Sequence, residues 1–268
     1  MTWKVLSGDD EATAVRDLAP QRRQRILSIV EARRAARLEE LSAALGVSQA
    51  TVRRDLDELA AEGKVRRVHG GVVAIADRPN EPHFDVKAVE AAEEKERIAA
   101  RAVQLLSPDD TVYLDSGSTV LAAARLLRGR DRLTVVTNSL PAAMELAGHG
   151  PRLIMVGGEL RERSQALVGP LTHSLLRSIH VDRALMGTYA LSLEDGMTTT
   201  DPAEASTKEI VLGRAREVIL LADSRKMGTR SLVSAGRLEA IDILVTDDRI
   251  DEAAVRDLEG RGIRVIKA

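Results

Sequence analysis

Apolar positions follow two rhythms along the chain, and the change of rhythm divides it. From Arg22 to Ala74 the spacing is first helical and then strand-like. Ile26, Ile29 and Val30 mark one helix, while Leu38, Leu41 and Leu45, at i, i+3 and i+7, give a second helix its apolar stripe. Val52, Leu56 and Leu59 do the same for a third helix that runs to about Ala61. Gly46 can adopt the left-handed conformation that ends the second helix, Val47 packs into the corner, and Ser48 is placed to cap the third. Two helices joined this tightly predict a helix-turn-helix. Lys64 to Ala74 predicts a β-hairpin turned at Gly70-Gly71, so residues 21–76 read as a winged helix.

The second rhythm is a series of short apolar runs separated by helix-like segments. The runs are Thr111 to Leu114, Leu133 to Val136, Arg152 to Val156, Arg183 to Met186, Val218 to Ala222, Ile241 to Val245 and Arg264 to Ile266. They predict an α/β domain over residues 91–268, a mostly parallel sheet flanked by helices, opened by a helix from about Glu90 to Leu106. Between the two domains, the prolines of Asp77-Arg-Pro-Asn-Glu-Pro-His83 predict an extended linker over residues 77–90. Residues 1–20, with Gly8-Asp9-Asp10-Glu11, predict a poorly ordered acidic extension.

Composition narrows the function. The 268 residues contain no cysteine, which excludes disulfides and thiolate chemistry and fits a cytoplasmic protein. There is no signal-peptide pattern and no run approaching the roughly 20 apolar residues that span a bilayer, so no membrane partner is expected. With one Trp, two Tyr and one Phe, there is no platform on which successive bases could stack, which disfavours single-stranded nucleic acid. Between residues 21 and 73 stand 11 Lys/Arg against 7 Asp/Glu, a local charge of +4 in a chain whose net charge is −2. An amphipathic helix pair alone is commonly just structural. The hairpin and the local charge turn the reading toward duplex DNA, with Gln49, Thr51, Arg53 and Arg54 on the outward face of a recognition helix.

In the α/β domain several runs end in a small or polar residue: Asp115, Asn138, Gly157, Gly187, Asp223 and Thr246. Ligands of open α/β sheets bind at the carboxyl ends of the strands, so these residues are candidates to line one pocket. Asp115-Ser116-Gly117-Ser118-Thr119 leaves a strand and enters a helix. Such a turn offers backbone N–H groups and hydroxyls suited to a phosphate, and it equally serves capping alone. Glu204 and Lys208, at i and i+4, read either as a surface ion pair or as part of the site. Lys226, in Asp223-Ser-Arg-Lys226-Met-Gly228, is a further cation that a solvated loop would explain as well.

Arg22, Ile26, Val30 and, after seventeen intervening residues, Ser48-x-x-Thr51-Val52-Arg53-Arg54-Asp55-Leu56 closely resemble the signature of the DeoR family of bacterial transcriptional regulators. His69-Gly70-Gly71 resembles the His-Gly-Gly of the family's wing. The resemblance implies that Ser48, Gln49, Thr51, Arg53 and Arg54 contact operator DNA, with Arg66, Arg67, His69 and Gly70 of the wing beside the backbone or minor groove. Asp55 is expected to pair with a neighbouring arginine.

Lys95-Glu-Arg-Ile-Ala99, Thr137-Asn138-Ser139, Gly157-Gly158-Glu159-Leu160-Arg161, Thr199-Thr200 with Glu204-Ala205-x-x-Lys208, and the Asp223 motif extend the resemblance from Arg22 to Lys267. For the second domain it implies a fold similar to sugar-phosphate isomerases and CoA transferases, binding a phosphorylated sugar. Asp115, Ser116, Gly117, Ser118 and Thr119 would form one wall of that site. Asn138, Gly157, Gly158, Glu204 and Lys226 would complete it, with Lys208 on the effector's anionic group. One motif departs: Gly187-Thr188-Tyr189-Ala190 stands where relatives have Gly-Ala-x-Gly, which leaves the effector's identity open.

The expected function is therefore a repressor of sugar-metabolism genes whose operator affinity a sugar phosphate changes. No metal or cofactor is expected, and a homo-oligomer, dimer or tetramer, is, because helix-turn-helix proteins commonly read paired half-sites. A sugar-phosphate isomerase with a DNA-binding appendage is the rival, with Asp115, Glu204 and Lys208 as acid/base groups. Non-specific DNA packaging fits poorly with charge confined to one domain.

Overall fold

The computed structural model describes residues 19–33, 35–61, 64–68, 70–74 and 81–268, in two units that divide between Asn80 and Glu81. The first unit runs α1 (Ala19–Arg33), β1 (Ala35–Arg37), α2 (Leu38–Leu45), α3 (Gln49–Ala61), β2 (Val65–Val68) and β3 (Gly71–Ala74). The predicted stripes meet in one core: Ile26, Val30, Leu41, Val52, Leu56 and Leu59 are buried together with Val65 and Val72 of the hairpin. Gly46 ends α2 at φ +63°. β1 is new. It pairs antiparallel with β3, giving the order β1-β3-β2, and three residues are too few to carry a pattern. The expected extension over residues 1–20 loses Ala19 and Pro20, which open α1, where a first-turn proline is tolerated; residues 1–18 lie outside the described residues.

The second unit opens earlier than expected. Of the predicted linker over 77–90, residues 77–80 lie outside the described residues, but from Glu81 on the chain is folded into the second unit. Glu81 is buried, and α4 (Phe84–Val89) anchors itself through Phe84, which is 5% exposed. The two prolines suggested extension. One apolar ring and one buried carboxylate outweigh them.

The chain continues as α5 (Ala92–Val103), β4 (Thr111–Leu114), α6 (Ser118–Leu126), β5 (Thr134–Thr137), α7 (Leu140–Leu146), β6 (Arg152–Met155), β7 (Glu159–Arg161), β8 (Ala166–Val168) and α8 (Pro170–Ser178). Then come β9 (Val181–Gly187), β10 (Ala190–Ser192), β11 (Gly196–Thr199), α9 (Pro202–Leu212), β12 (Ala215–Leu221), β13 (Val233–Gly236), β14 (Ile243–Thr246), α10 (Glu252–Gly260) and β15 (Arg264–Lys267). All seven predicted runs are strands of a single sheet, ordered β15-β14-β12-β9-β4-β5-β6, with every neighbouring pair parallel.

Successive strand residues feed opposite faces of the sheet. Leu114, Leu185 and Ile219 pack with α5, α6 and α7, whereas Tyr113, Met186 and Leu220 pack with α8, α9 and α10. Two small antiparallel additions, the β7–β8 hairpin and the sheet β10-β11-β13, had no distinct sequence pattern. Among the described residues, no helix is long and apolar enough to cross a membrane.

Candidate functional site

At the carboxyl ends of β4, β9 and β12 the second unit holds a cavity of about 440 Å³. The turn from β4 into α6 supplies one wall, with Ser116, Gly117, Ser118 and Thr119 all lining it. No side chain caps α6. The N–H groups of its first turn therefore keep their positive end for a ligand, and capping alone does not account for the turn.

Asp115 sits behind that wall, 2% exposed, as the counter-ion of Lys208 and the acceptor of the Gly187 N–H at 3.0 Å. It positions the lysine and does not line the cavity itself. Lys208 also donates to the Gly187 carbonyl at 2.9 Å and reaches the cavity from α9. Asp201 caps that helix by accepting from Ala203 and Glu204 N–H groups, with Pro202 at its first position. Glu204 and Lys208 share the helix but do not pair. Glu204 is buried and accepts from Thr199 Oγ1 at 3.0 Å and from Arg161 at 3.1 Å, so the surface ion-pair reading is excluded.

Lys226 lines the cavity from the segment after β12 and donates to the Thr188 carbonyl at 2.6 Å. Burial, helped by the nearby Lys95, Lys87 and Lys208, brings its ammonium down to about 8 against the opposing pull of Asp223.

Three predicted residues are elsewhere. Asn138 accepts from the Tyr113 hydroxyl at 2.8 Å and donates to the Leu167 carbonyl at 3.0 Å, so it braces β5 against β8 instead of meeting a ligand. Burial, with a smaller push from Asp115, raises that tyrosine's pKa. Gly157 and Gly158 also lie off the cavity. The Gly157 carbonyl accepts from Thr172 Oγ1 at 2.8 Å, and a Cβ on Gly158 would overlap that hydroxyl and the Val168 carbonyl. A strand's carboxyl end is the right neighbourhood for a site, yet close backbone packing makes the same demand for small residues.

The fold adds groups that sequence reasoning missed. Lys95, 4% exposed, lines the cavity and donates to the Lys87 and Glu90 carbonyls; burial, first, holds its pKa below the usual lysine value. It shares a helical stripe with Ile98, Ala99 and Ala102, and a lysine in an apolar stripe was the signal available. Glu81 binds Arg161 at 2.6 Å, Lys87 at 2.7 Å and Thr200 at 2.6 Å. Burial alone would raise its carboxyl, but these donors prevail and hold it at about 2. Arg161, which also meets Asp201 at 3.3 Å and Glu204 at 3.1 Å, ties the β7–β8 hairpin to this wall. It closes the Gly157-Gly158-Glu159-Leu160-Arg161 motif, but nothing in the local sequence tells which carboxylates it meets. Among the described residues, no three His, Asp or Glu side chains cluster as metal ligands would.

In the first unit, Ser48 Oγ accepts from the Thr51 N–H at 3.2 Å and lies 2.9 Å from the Thr51 hydroxyl. Gln49, Arg53 and Arg54 stand exposed along α3, opposite the buried Val52, Leu56 and Leu59. Asp55 is held bidentately by Arg22, at 2.6 and 3.0 Å, and takes no part in that face. On the hairpin, Arg67 is 3.6 Å from Asp57, Arg66 falls on β2, and the exposed Gly70 carbonyl accepts from the Leu38 N–H at 3.1 Å. His69 lies outside the described residues.

Comparison with known proteins matches the DeoR-like helix-turn-helix domain to residues 22–78 and the DeoR C terminal sensor domain to residues 90–248. The HTH-type transcriptional regulator GlpR of Haloferax volcanii is 37% identical over 93% of this chain and 98% of its own length. The glycerol-3-phosphate regulon repressor of Escherichia coli is 32% identical over 85% of this chain and 90% of its own. Among solved structures, ribose 5-phosphate isomerase A from Methanocaldococcus jannaschii is 20% identical over 51% of this chain and 54% of its own, with a TM-score of 0.38.

Proposed function

The chain belongs to the DeoR family of transcriptional regulators, and on that premise we propose that α3 and the wing bind operator DNA while the α/β unit senses a phosphorylated sugar. The sensing domain starts at Glu81, and residues 21–76 form the DNA-binding domain. In this reading Gln49, Arg53 and Arg54 reach base edges and phosphates, and Ser48 and Thr51 contact the adjoining backbone. Arg66, Arg67, His69 and Gly70 flank them.

The observation that carries the sensing role is the 440 Å³ cavity that joins the uncapped start of α6 to Lys208, Lys226 and Lys95. Buried ammonium groups around a helix N-terminus suit a phosphate dianion. Asp115 is engaged as a counter-ion and Glu204 by Thr199 and Arg161, which leaves acid/base chemistry without support. The protein acts as a repressor of sugar-metabolism genes, like its relative of the glycerol-3-phosphate regulon. It works as a homo-oligomer whose symmetry matches paired half-sites.

The test is fluorescence anisotropy on DNA from the protein's own upstream region, at fixed salt, titrated with sugar phosphates, glycerol 3-phosphate among them. One sugar phosphate should shift operator affinity by about 5- to 150-fold, the usual range of allosteric coupling, while inorganic phosphate at equal ionic strength does not. Operator binding that no sugar phosphate alters would refute the sensing role. A monomeric mass by sedimentation on DNA would refute the oligomer.

A further inference from the structure

Two buried polar atoms of cavity-lining residues have no hydrogen-bond partner, Oδ2 of Asp223 and Oγ of Ser164. Both residues are almost wholly enclosed, Asp223 at 2% and Ser164 at 4% exposure. The other buried carboxylates that line the cavity are matched differently. Glu81 is bound by Arg161, Lys87 and Thr200, and Glu204 has a donor on each oxygen, Arg161 on Oε1 and Thr199 on Oε2. Asp223 has only its Oδ1 occupied, by Arg225 Nε at 2.8 Å. The nearby ammonium groups do not bond to its Oδ2: Lys226 donates to the Thr188 carbonyl and Lys95 to those of Lys87 and Glu90, which leaves each with protons for a phosphate.

A buried acceptor left without a donor is a costly arrangement that native proteins keep for a reason. What completes Asp223 must bring a proton to Oδ2. A phosphate or carboxylate oxygen cannot, because it only accepts at neutral pH and carries the same charge. A carbon-bound hydroxyl can. Ser164, offering both a proton and lone pairs from the tip of the β7–β8 hairpin, fits a second hydroxyl.

Resting on the reading that this cavity takes a phosphorylated ligand, we infer that Asp223 and Ser164 recognise hydroxyl groups on its carbon chain. The effector is thereby a polyol or sugar phosphate, and the phosphorylated acid of the same length is rejected. The cations fix the phosphate but are indifferent to what it carries. The two unpaired oxygens make the distinction.

Calorimetry on the full chain tests this with two matched series. One is glycerol 3-phosphate, propyl phosphate and 3-phosphoglycerate; the other is glucitol 6-phosphate, hexyl phosphate and 6-phosphogluconate; inorganic phosphate is the reference. In the series that fits the cavity, the polyol phosphate should bind at least about tenfold more tightly than its alkyl and acid counterparts, one hydrogen bond's worth or more. Asp223→Asn keeps an acceptor for Arg225 and puts an amide donor at the free position, so it should bring the acid's affinity up to that of the polyol. Ser164→Ala removes an unsatisfied hydroxyl, so it should leave the melting temperature of the unliganded protein unchanged or higher while weakening the polyol phosphate alone. Equal binding of polyol, alkyl and acid phosphates, or preferences that survive both substitutions, would overturn the inference and leave phosphate sensing intact. Failure of every probe, inorganic phosphate included, would overturn both.

Discussion

The two units treat cationic side chains in opposite ways. On α3, Arg53 and Arg54 stand in solvent. Around the cavity, Lys95 and Lys208 are each 4% exposed and have their protons directed by neighbouring carbonyls and Asp115. If α3 meets operator DNA and the cavity a phosphorylated sugar, as proposed, the difference follows from the anion each receives. A duplex is a long polyanion with a condensed counterion cloud, and mobile surface cations gain affinity by releasing those ions, at the cost of salt dependence. A small dianion gives no such return, so it needs cations already dehydrated and oriented, held by compensating charge until it arrives.

The strongest way to break this contrast is Lys208→Ala. It strands the buried Asp115, so the α/β unit should lose about 3–5 kcal/mol of stability by denaturant titration, as removal of one partner of a buried pair does. The response of operator binding to effector should vanish with it. Lys208→Ala with Asp115→Asn should restore much of the stability without the response. A single variant of wild-type stability would mean the ion pair is not structural.

Acid comes next. Glu81 is held at about 2 against an ordinary 4.5, so its contribution is complete above pH 4.5 and is lost as pH falls toward 2. The shift corresponds to about 3 kcal/mol. In Glu81→Gln the loss of stability between pH 5 and 2 should be shallower by that amount; an identical pH profile would remove Glu81 as the cause.

Arg54→Ala should weaken operator binding by about 1–3 kcal/mol and, if the contact is to phosphate, flatten the salt dependence by about one ion. Calorimetric affinity for the effector should not change. A variant that binds operator normally would take Arg54 out of the recognition face.

The smallest effect is at Lys226. Its ammonium titrates at about 8 in the free protein, and a bound dianion favours the charged form. Binding above pH 8 must therefore take up a proton, and effector affinity should fall by up to about tenfold per pH unit there. Operator affinity without effector should not follow that curve, and Lys226→Met should abolish it.

How far the sequence could be read tracks this contrast. The outward face of α3 was legible because an exposed helix advertises its residues locally: the stripe Val52, Leu56, Leu59 fixes which way Arg53 and Arg54 point. The seven strands were legible for a similar reason, since a sheet buried on both faces writes near-continuous apolar runs. The cavity was legible only in part. Ser116 to Thr119, Glu204, Lys208 and Lys226 stand in motifs, and the fold brings them together. Asn138, Gly157 and Gly158 share their strand-end positions but serve packing and bracing. Arg161 meets Glu81 across 80 residues. Pairings over such separations leave no local trace, and neither does the orphaned oxygen of Asp223, which only the surroundings define.

The strand order has a consequence for how the α/β unit comes into being. β4-β5-β6 are neighbours in sequence as well as in the sheet; on the other side β12, β14 and β15 follow one another with only β13, which belongs to the small sheet, between them; β9 alone joins the two halves. Val112 pairs with Arg183 and Val181 with Ala215, so the seam needs longer chain closures than either half, each costly in loop entropy before any contact forms. The bond from Gly187 to Asp115, and with it the seat of Lys208, lies on that seam. Each half can gather its own strands from nearer residues, so the cavity is expected to form only when the seam closes, and ligand capture during refolding would time that moment.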